Sequence, residues 1–220
     1  MQYGAYLKRS IIIIYFICTA SAGLAQFKAG KVNWTTDGTG LYEIQDNMLL
    51  RVNPLSAQQV TVLATAAQLT PGGKDKPLTI ADFEISPDEN TLLIFTNTAK
   101  VWRYNTRGDY WVLNKGTGEL KQIGKDKPGQ SLMYAKLSPD GTRVAYVSGQ
   151  NIYVENIASG QTTALTTDGS RQLINGTFDW VYEEEFGCRD GFRWSSDSRH
   201  IAYWQVDAHG TRDYLMLNTT

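Results

Sequence analysis

Hydrophobic residues in this chain come in short unbroken runs, without the three-to-four spacing of an amphipathic helix. Leu92-Leu93-Ile94-Phe95, Val144-Ala145-Tyr146-Val147 and Ile201-Ala202-Tyr203-Trp204 are apolar, rich in β-formers and preceded by polar corners, which predicts strands. A second hairpin tends to follow such a run. Asn151-Ile152-Tyr153-Val154-Glu155-Asn156 leads to Ser159-Gly160, and Tyr110-Trp111-Val112-Leu113-Asn114 leads to Thr117-Gly118. Met48-Leu49-Leu50-Arg51-Val52-Asn53 reads as a further copy of the strand.

The corners themselves repeat. Each has an aromatic or aliphatic residue, a hydroxyl residue, a small residue or proline, and an aspartate: Trp34-Thr35-Thr36-Asp37, Ile85-Ser86-Pro87-Asp88, Leu137-Ser138-Pro139-Asp140 and Trp194-Ser195-Ser196-Asp197. The hydroxyl residues at 35, 86, 138 and 195 are 51, 52 and 57 positions apart. Proline presets φ, aspartate bonds back to the backbone and a following glycine accepts positive φ, so each copy predicts a tight turn. Strands recurring with this period predict an all-β fold, a partial β-propeller of about four four-stranded blades. An irregular β-sandwich also has recurring turns, but seldom the same corner at near-constant spacing. Four blades is the lower limit for a closed ring, and the run Arg212 to Thr220 reads as the middle of a strand. The expectation is an arc of a larger propeller, completed by further sequence or by another polypeptide, with an open edge that recruits partners.

The N-terminus departs from this pattern. Lys8 and Arg9 precede an apolar run from Ile11 to Cys18 and the small-residue stretch Thr19 to Ala25. That order predicts a secretory signal peptide over residues 1–25, cleaved after Ala25 or after Ala22. An uncleaved anchor is the other reading, but about 20 apolar residues are needed to span a bilayer and this run is shorter. Export to the periplasm or outside the cell follows, with the propeller segment over 26–220. Removal of Cys18 would leave Cys188 alone, so no internal disulfide forms, and Cys188 is expected to be structural.

A net charge of −1 without a basic run argues against nucleic acid, whose phosphates need clustered Lys and Arg. The two histidines, His200 and His209, are too few and too scattered for a zinc site. No metal or other cofactor is expected.

One segment carries chemistry: Asp179-Trp180-Val181-Tyr182-Glu183-Glu184-Glu185-Phe186. Three consecutive glutamates alone would be a solvated face. Here they stand among aromatic side chains that favour burial. Asp179 can cap a short helix, Tyr182 and Phe186 would share one of its faces, and successive glutamates step by about 100°. Only two adjacent acids then converge readily on one point. Two carboxylates beside apolar rings repel one another unless a cation is present. A primary ammonium offers three donors in charge-assisted bonds.

The string Asp179 to Glu185 resembles the substrate-anchoring motif of the dipeptidyl peptidase IV family, within the prolyl oligopeptidase group of serine peptidases. The blade that follows, Asp190-Gly191-Phe192-Arg193-Trp194-Ser195 and Ile201 to Gln205, is similar to bacterial members. The resemblance implies that Glu184 and Glu185 bind the free amino group of a peptide, with Asp179, Trp180, Tyr182 and Glu183 as supporting residues. It also implies that Arg103, in Val101-Trp102-Arg103-Tyr104, hydrogen-bonds a carbonyl of the bound dipeptide as a distant helper. The family further implies release of N-terminal Xaa-Pro or Xaa-Ala dipeptides, and a homodimer at full length.

The family's nucleophile lies on a Gly-x-Ser-x-Gly elbow in an α/β-hydrolase domain. No such pentapeptide occurs, the nearest string being Gly129-Gln130-Ser131-Leu132-Met133. No residue of this chain is therefore expected to be catalytic. Two functions are consistent with these observations. One is the substrate-anchoring propeller segment of an exported dipeptidyl peptidase IV-like enzyme whose partners include the missing blades and hydrolase domain. The other is a non-catalytic propeller module that binds peptides or a protein partner.

Overall fold

The computed structural model describes residues 33–212 and Leu215. The expected signal peptide and Cys18 lie outside the described residues, as do its cleavage points. β1 (Asn33–Trp34), β2 (Leu41–Gln45), β3 (Met48–Asn53) and β4 (Ser56–Ala64) form one antiparallel sheet in that order. β5 (Asp82–Ile85), β6 (Thr91–Val101), β7 (Tyr104–Asn114) and β8 (Leu120–Ile123) make a second unit. The third comprises β9 (Leu132–Leu137), β10 (Arg143–Ser148), β11 (Asn151–Asn156) and β12 (Thr162–Ala164). A fourth unit contains β13 (Leu173–Asn175), the single described helix α1 (Trp180–Phe186), β14 (Phe192–Trp194), β15 (Ile201–Tyr203) and β16 (Gln205–Asp207). The sheets are open, as expected for part of a propeller.

Two features depart from four separate four-stranded blades. β7 is long enough to pair twice: its second half, Tyr110 to Leu113, pairs β8, while Arg107 and Gly108 near its start pair Met133 and Leu132 of β9. The second and third units thereby join in one eight-stranded sheet. In the fourth unit β13 pairs β16 and β14 pairs β15, so two strand pairs stand where one sheet was expected.

Packing explains the unbroken apolar runs. Successive residues of a strand point to opposite faces. Leu92 and Ile94 of β6 pack with Leu49, Leu63 and Ala64 of the first sheet, whereas Leu93 packs with Leu137, Val144 and Tyr146 of the third unit. On β10 the alternation continues, because Ala145 and Val147 meet Ile152 and Phe192. A strand covered on both faces has no position left for a polar side chain. Val144, Ala145, Tyr146 and Val147 are each at most 1% exposed, and full burial of a large apolar side chain contributes roughly 1.5–3 kcal/mol.

All four corners have the same hydrogen bonds. The hydroxyl of Thr35, Ser86, Ser138 or Ser195 donates to the aspartate two residues on, at 2.5 to 2.6 Å. The same oxygen accepts the backbone N–H five residues on, at 2.9 to 3.0 Å. The aspartate accepts the N–H two residues beyond itself, at 3.0 to 3.1 Å. Hydroxyl donation is the main reason all four carboxyls lie below the ordinary carboxylate range, Asp140 at about 2.

A pH dependence follows. A carboxyl depressed in the folded state adds stability above its unfolded value of 3.8, and loses it as pH falls through the folded value of about 2. Asp140→Asn should therefore lower the melting temperature at pH 5 by about one to three degrees, a modest effect because the carboxylate is largely exposed and solvent screens it. The gap from wild type should shrink as the pH is taken toward 2. A gap that stays constant between pH 5 and pH 2 would show that the Asp140 charge plays no part.

Candidate functional site

The helix α1 sits on a loop that leaves the fourth unit at Gly176 and returns at Gly191. Its neck is closed by backbone bonds: Gly191 N–H donates to Gly176 O at 3.0 Å, Gly176 N–H to Trp204 O at 2.9 Å, and Trp204 N–H to Gly191 O at 2.8 Å. Thr177 and Asp190 form a bridge just above. Asp179 is the N-cap, its carboxylate accepting Tyr182 N–H at 3.0 Å. The helix stops at Gly187, which takes φ +64° and donates to Glu183 O at 3.1 Å. That left-handed conformation strains any residue with a Cβ.

Around this helix the three acids have different surroundings. Glu183 points inward with its side chain 4% exposed, and its Oε1 lies 3.7 Å from Nε of Arg189. Glu184 is mostly covered, and its Oε1 accepts from Nε of Arg103 at 2.5 Å. Glu185 is exposed. Divergence of the first two follows from the 100° step of a helix. Of the three acids, Glu183 is the one that faces inward.

Arg103 comes from 81 residues away. It sits in the turn of the β6–β7 hairpin, where Val101 pairs Tyr104 and Trp102 takes φ +54°. Each strand has 11 residues, about 35 Å at a strand's rise, so the tip reaches well past the pairing with β8. Expected as a distant helper, Arg103 instead touches Glu184 directly.

The aromatic residues are not buried as expected. Trp180 is 49% exposed, Tyr182 38% and Phe186 68%. Tyr182 and Phe186 pack on each other instead, with ring centroids 5.7 Å apart, and the Tyr182 ring lies 5.3 Å from Phe178, which in turn lies 6.2 Å from Trp204. A two-turn helix on a narrow neck has no second layer over it among the described residues, so its rings stay partly open to solvent.

Beside the helix opens a cavity of about 970 Å³, walled by Tyr104, Tyr134, Tyr182, Arg189 and Trp204. Burial pushes the Tyr134 hydroxyl up to about 12. Half-buried Cys188 borders the same space, its Sγ 3.6 Å from Phe186 O.

A cluster of charges brings together β5, β9 and the start of β14. Lys136 of β9 donates to Asp190 Oδ1 at 2.5 Å and rests 3.8 Å from the Phe192 ring centroid. Arg193 shares Asp190 at 2.9 Å, and Glu84 of β5 accepts Leu137 N–H at 3.0 Å. Burial pushes Lys136 down and Glu84 up from their ordinary values. Neither this cluster nor Arg189 is signalled by a sequence motif.

Ser131 of the elbow-like string faces Ser148 Oγ at 3.1 Å. His200 and His209 pair with Asp197 and Asp207 on the surface, at 3.9 and 2.6 Å. Among the described residues, no group of three or more His, Cys, Asp or Glu is arranged to hold a metal. No described helix is long and apolar enough to cross a membrane.

Residues 86–220 match the family described as the dipeptidyl peptidase IV (DPP IV) N-terminal region. Dipeptidyl peptidase 4 of Arthroderma otae is 31% identical over 208 residues, 93% of this chain and 25% of that protein. Dipeptidyl aminopeptidase B of Saccharomyces cerevisiae is 36% identical over 141 residues, 63% of this chain and 17% of that protein. The crystal structure of Porphyromonas gingivalis dipeptidyl peptidase 4 superposes with a TM-score of 0.76 at 25% identity, covering 89% of this chain and 28% of that one. The chain spans about a quarter of the length of such relatives. With the strand order, the corner repeat and the helix-borne acids in place, the chain belongs to the dipeptidyl peptidase IV family and is similar to the N-terminal propeller region of its members.

Proposed function

We propose that this chain is the substrate-anchoring propeller segment of an exported dipeptidyl peptidase IV-like serine peptidase, and that Glu184 and Glu185 hold the free amino end of a peptide. The observation that carries the reading is the ion pair of Arg103 with Glu184 at 2.5 Å, which brings the hairpin tip to the acidic helix. An ammonium placed there meets a covered carboxylate at Glu184 and an exposed one at Glu185. Its three donors suit two acids better than one, and such charge-assisted bonds are about twice as strong as neutral ones. With Nε on Glu184, both Nη groups of Arg103 are left for a peptide carbonyl, and their charge persists at any working pH. Capture of the amine fixes how far the peptide extends, and so which bond meets a nucleophile. That nucleophile belongs to the family's hydrolase domain, and no step of the hydrolysis itself is assigned to residues described here.

Calorimetric titration of the chain with alanyl-proline amide tests the anchor. N-acetylation of the peptide should weaken binding at least about tenfold, and so should Glu184→Gln or Glu185→Gln, because hydrogen bonds to charged groups contribute roughly 1.5–3 kcal/mol. Equal affinity for the free and acetylated peptides would sink the assignment.

A further inference from the structure

Arg189 follows the helix by three residues and packs against both it and the hairpin. Its guanidinium carbon stands 3.7 Å from the centroid of the Tyr104 ring, and its Nε 3.7 Å from Glu183 Oε1. Tyr104 and Glu183 are the chain neighbours of Arg103 and Glu184. Hairpin tip and helix therefore meet through two adjacent contacts. One is the direct pair of Arg103 with Glu184; in the other, Arg189 lies between an aromatic ring and a buried carboxylate.

We propose that Arg189 is a positioning residue that clasps the β6–β7 hairpin tip to α1 and so holds Arg103 on Glu184; the inference rests on the amine-anchor reading above. The Arg103 side chain is 69% exposed. An ion pair whose arginine is this exposed gains little over water, because solvent reaches the cation and rotamer freedom is lost in fixing it. It persists when the two backbones are already held at the right separation. Arg189 supplies that hold. Its flat face stacks on Tyr104 while its edge is directed at Glu183, a division of labour that a planar guanidinium allows and an ammonium does not.

Glu183 gives the clasp its direction. Its Oε1 is buried and has no hydrogen-bond partner, and neither has Arg189 Nε. A buried carboxylate oxygen without a donor is costly, so the nearby cation is drawn inward toward the helix. The same pull brings Tyr104, and with it Arg103, toward the acids.

Nitrogen-detected NMR of arginine side chains separates this role from general stability. In the wild-type chain the Arg103 Nε–H should give a shifted signal that exchanges slowly with water. Arg189→Met, and independently Tyr104→Leu, should return it to the free-arginine position with exchange at least about tenfold faster, and the Tyr104→Leu chain, which keeps the cation beside Glu183, should hold its melting temperature within a few degrees. Affinity for alanyl-proline amide should fall about five- to tenfold, the usual scale for loss of coupling through a positioning residue. Tyr104 is 46% exposed, so its replacement keeps the test available if Arg189→Met folds poorly. An unchanged Arg103 signal in either folded variant overturns the proposal, whatever the peptide does. Failure of the wild-type chain to bind the peptide would instead overturn the amine anchor, with the Arg103 signal still deciding the role of Arg189.

Discussion

Lys136→Met is expected to destabilise the fold by about 3 kcal/mol at neutral pH, measured by denaturant unfolding. The lysine ammonium lies among Asp190, Glu84 and the Phe192 ring, with its side chain 19% exposed. Methionine fills the same volume and keeps the apolar contact with Phe192, so the loss reports charge rather than a cavity. Removing one partner of a well-buried pair costs roughly 3–5 kcal/mol, because the other charge is left behind in a poor solvent. Asp190 is 30% exposed and keeps Arg193 at 2.9 Å, which places the cost at the low end of that range.

Glu84 adds a pH signature. Burial already raises its carboxyl above 4.5, and Lys136 opposes that rise. Without the lysine the carboxyl goes higher still. A carboxyl raised in the folded state penalises folding when ionised, and the penalty disappears as pH falls through the folded value. The deficit of Lys136→Met should thus narrow as the pH is lowered from 7 toward 4.5, and Glu84→Gln should restore part of it at pH 7. A variant as stable as wild type at pH 7 would mean that water already compensates these charges.

Features closed within a few residues were legible in the sequence. Each corner completes its bonds inside six positions, so Thr35, Ser86, Ser138 and Ser195 carried the repeat in plain view. The runs around Leu93 and Tyr146 announced strands because both faces are buried, which removes every polar residue. The cap at Asp179 and the shared face of Tyr182 and Phe186 are equally local, and both were expected.

Long-range features were not legible in the same way. Beyond Phe95, Asn97, Lys100, Asn105 and Arg107 interrupt the apolar pattern. A strand end whose residues are mixed exposed and half-buried has no clear period-two signature, so the true length of β6 and β7 did not show. The joining of β7 to β9 depends on that length. Arg103 is singled out only by family register, and its contact with Glu184, 81 residues away, has no local signal. Arg189 and the Lys136–Asp190 pair carry no local pattern; the latter partners lie 54 residues apart. Burial of Trp180, Tyr182 and Phe186 was expected from their chemistry alone, but burial requires a neighbouring layer, and the loop carries the helix away from one.

Gly176→Ala should be the most damaging single-methyl change near the site, destabilising the chain by about 2–5 kcal/mol. Two costs add. Gly176 takes φ +75°, where a Cβ crowds the carbonyl at roughly 1–2 kcal/mol. A Cβ there would also stand 2.8 Å from Ile152 Cγ1 and 2.9 Å from Val147 Cγ2, both in the closed core of the third unit, and overpacking adds typically 1–3 kcal/mol. Gly191 faces it across the neck, where a Cβ would meet the Gly176 carbonyl carbon at 2.9 Å. Gly191→Ala must therefore push the two backbones apart, with no side chain able to give way. Either change opens the neck that fixes α1, so the grip of Arg103 on Glu184 should fail before the fold does. The measurable consequence is an order: in Gly191→Ala the slowly exchanging Arg103 Nε–H should be lost at temperatures where far-UV circular dichroism still reports intact strands. Loss of both signals at one temperature would mean that the helix-bearing loop melts with the sheets and that the neck is no separate hinge.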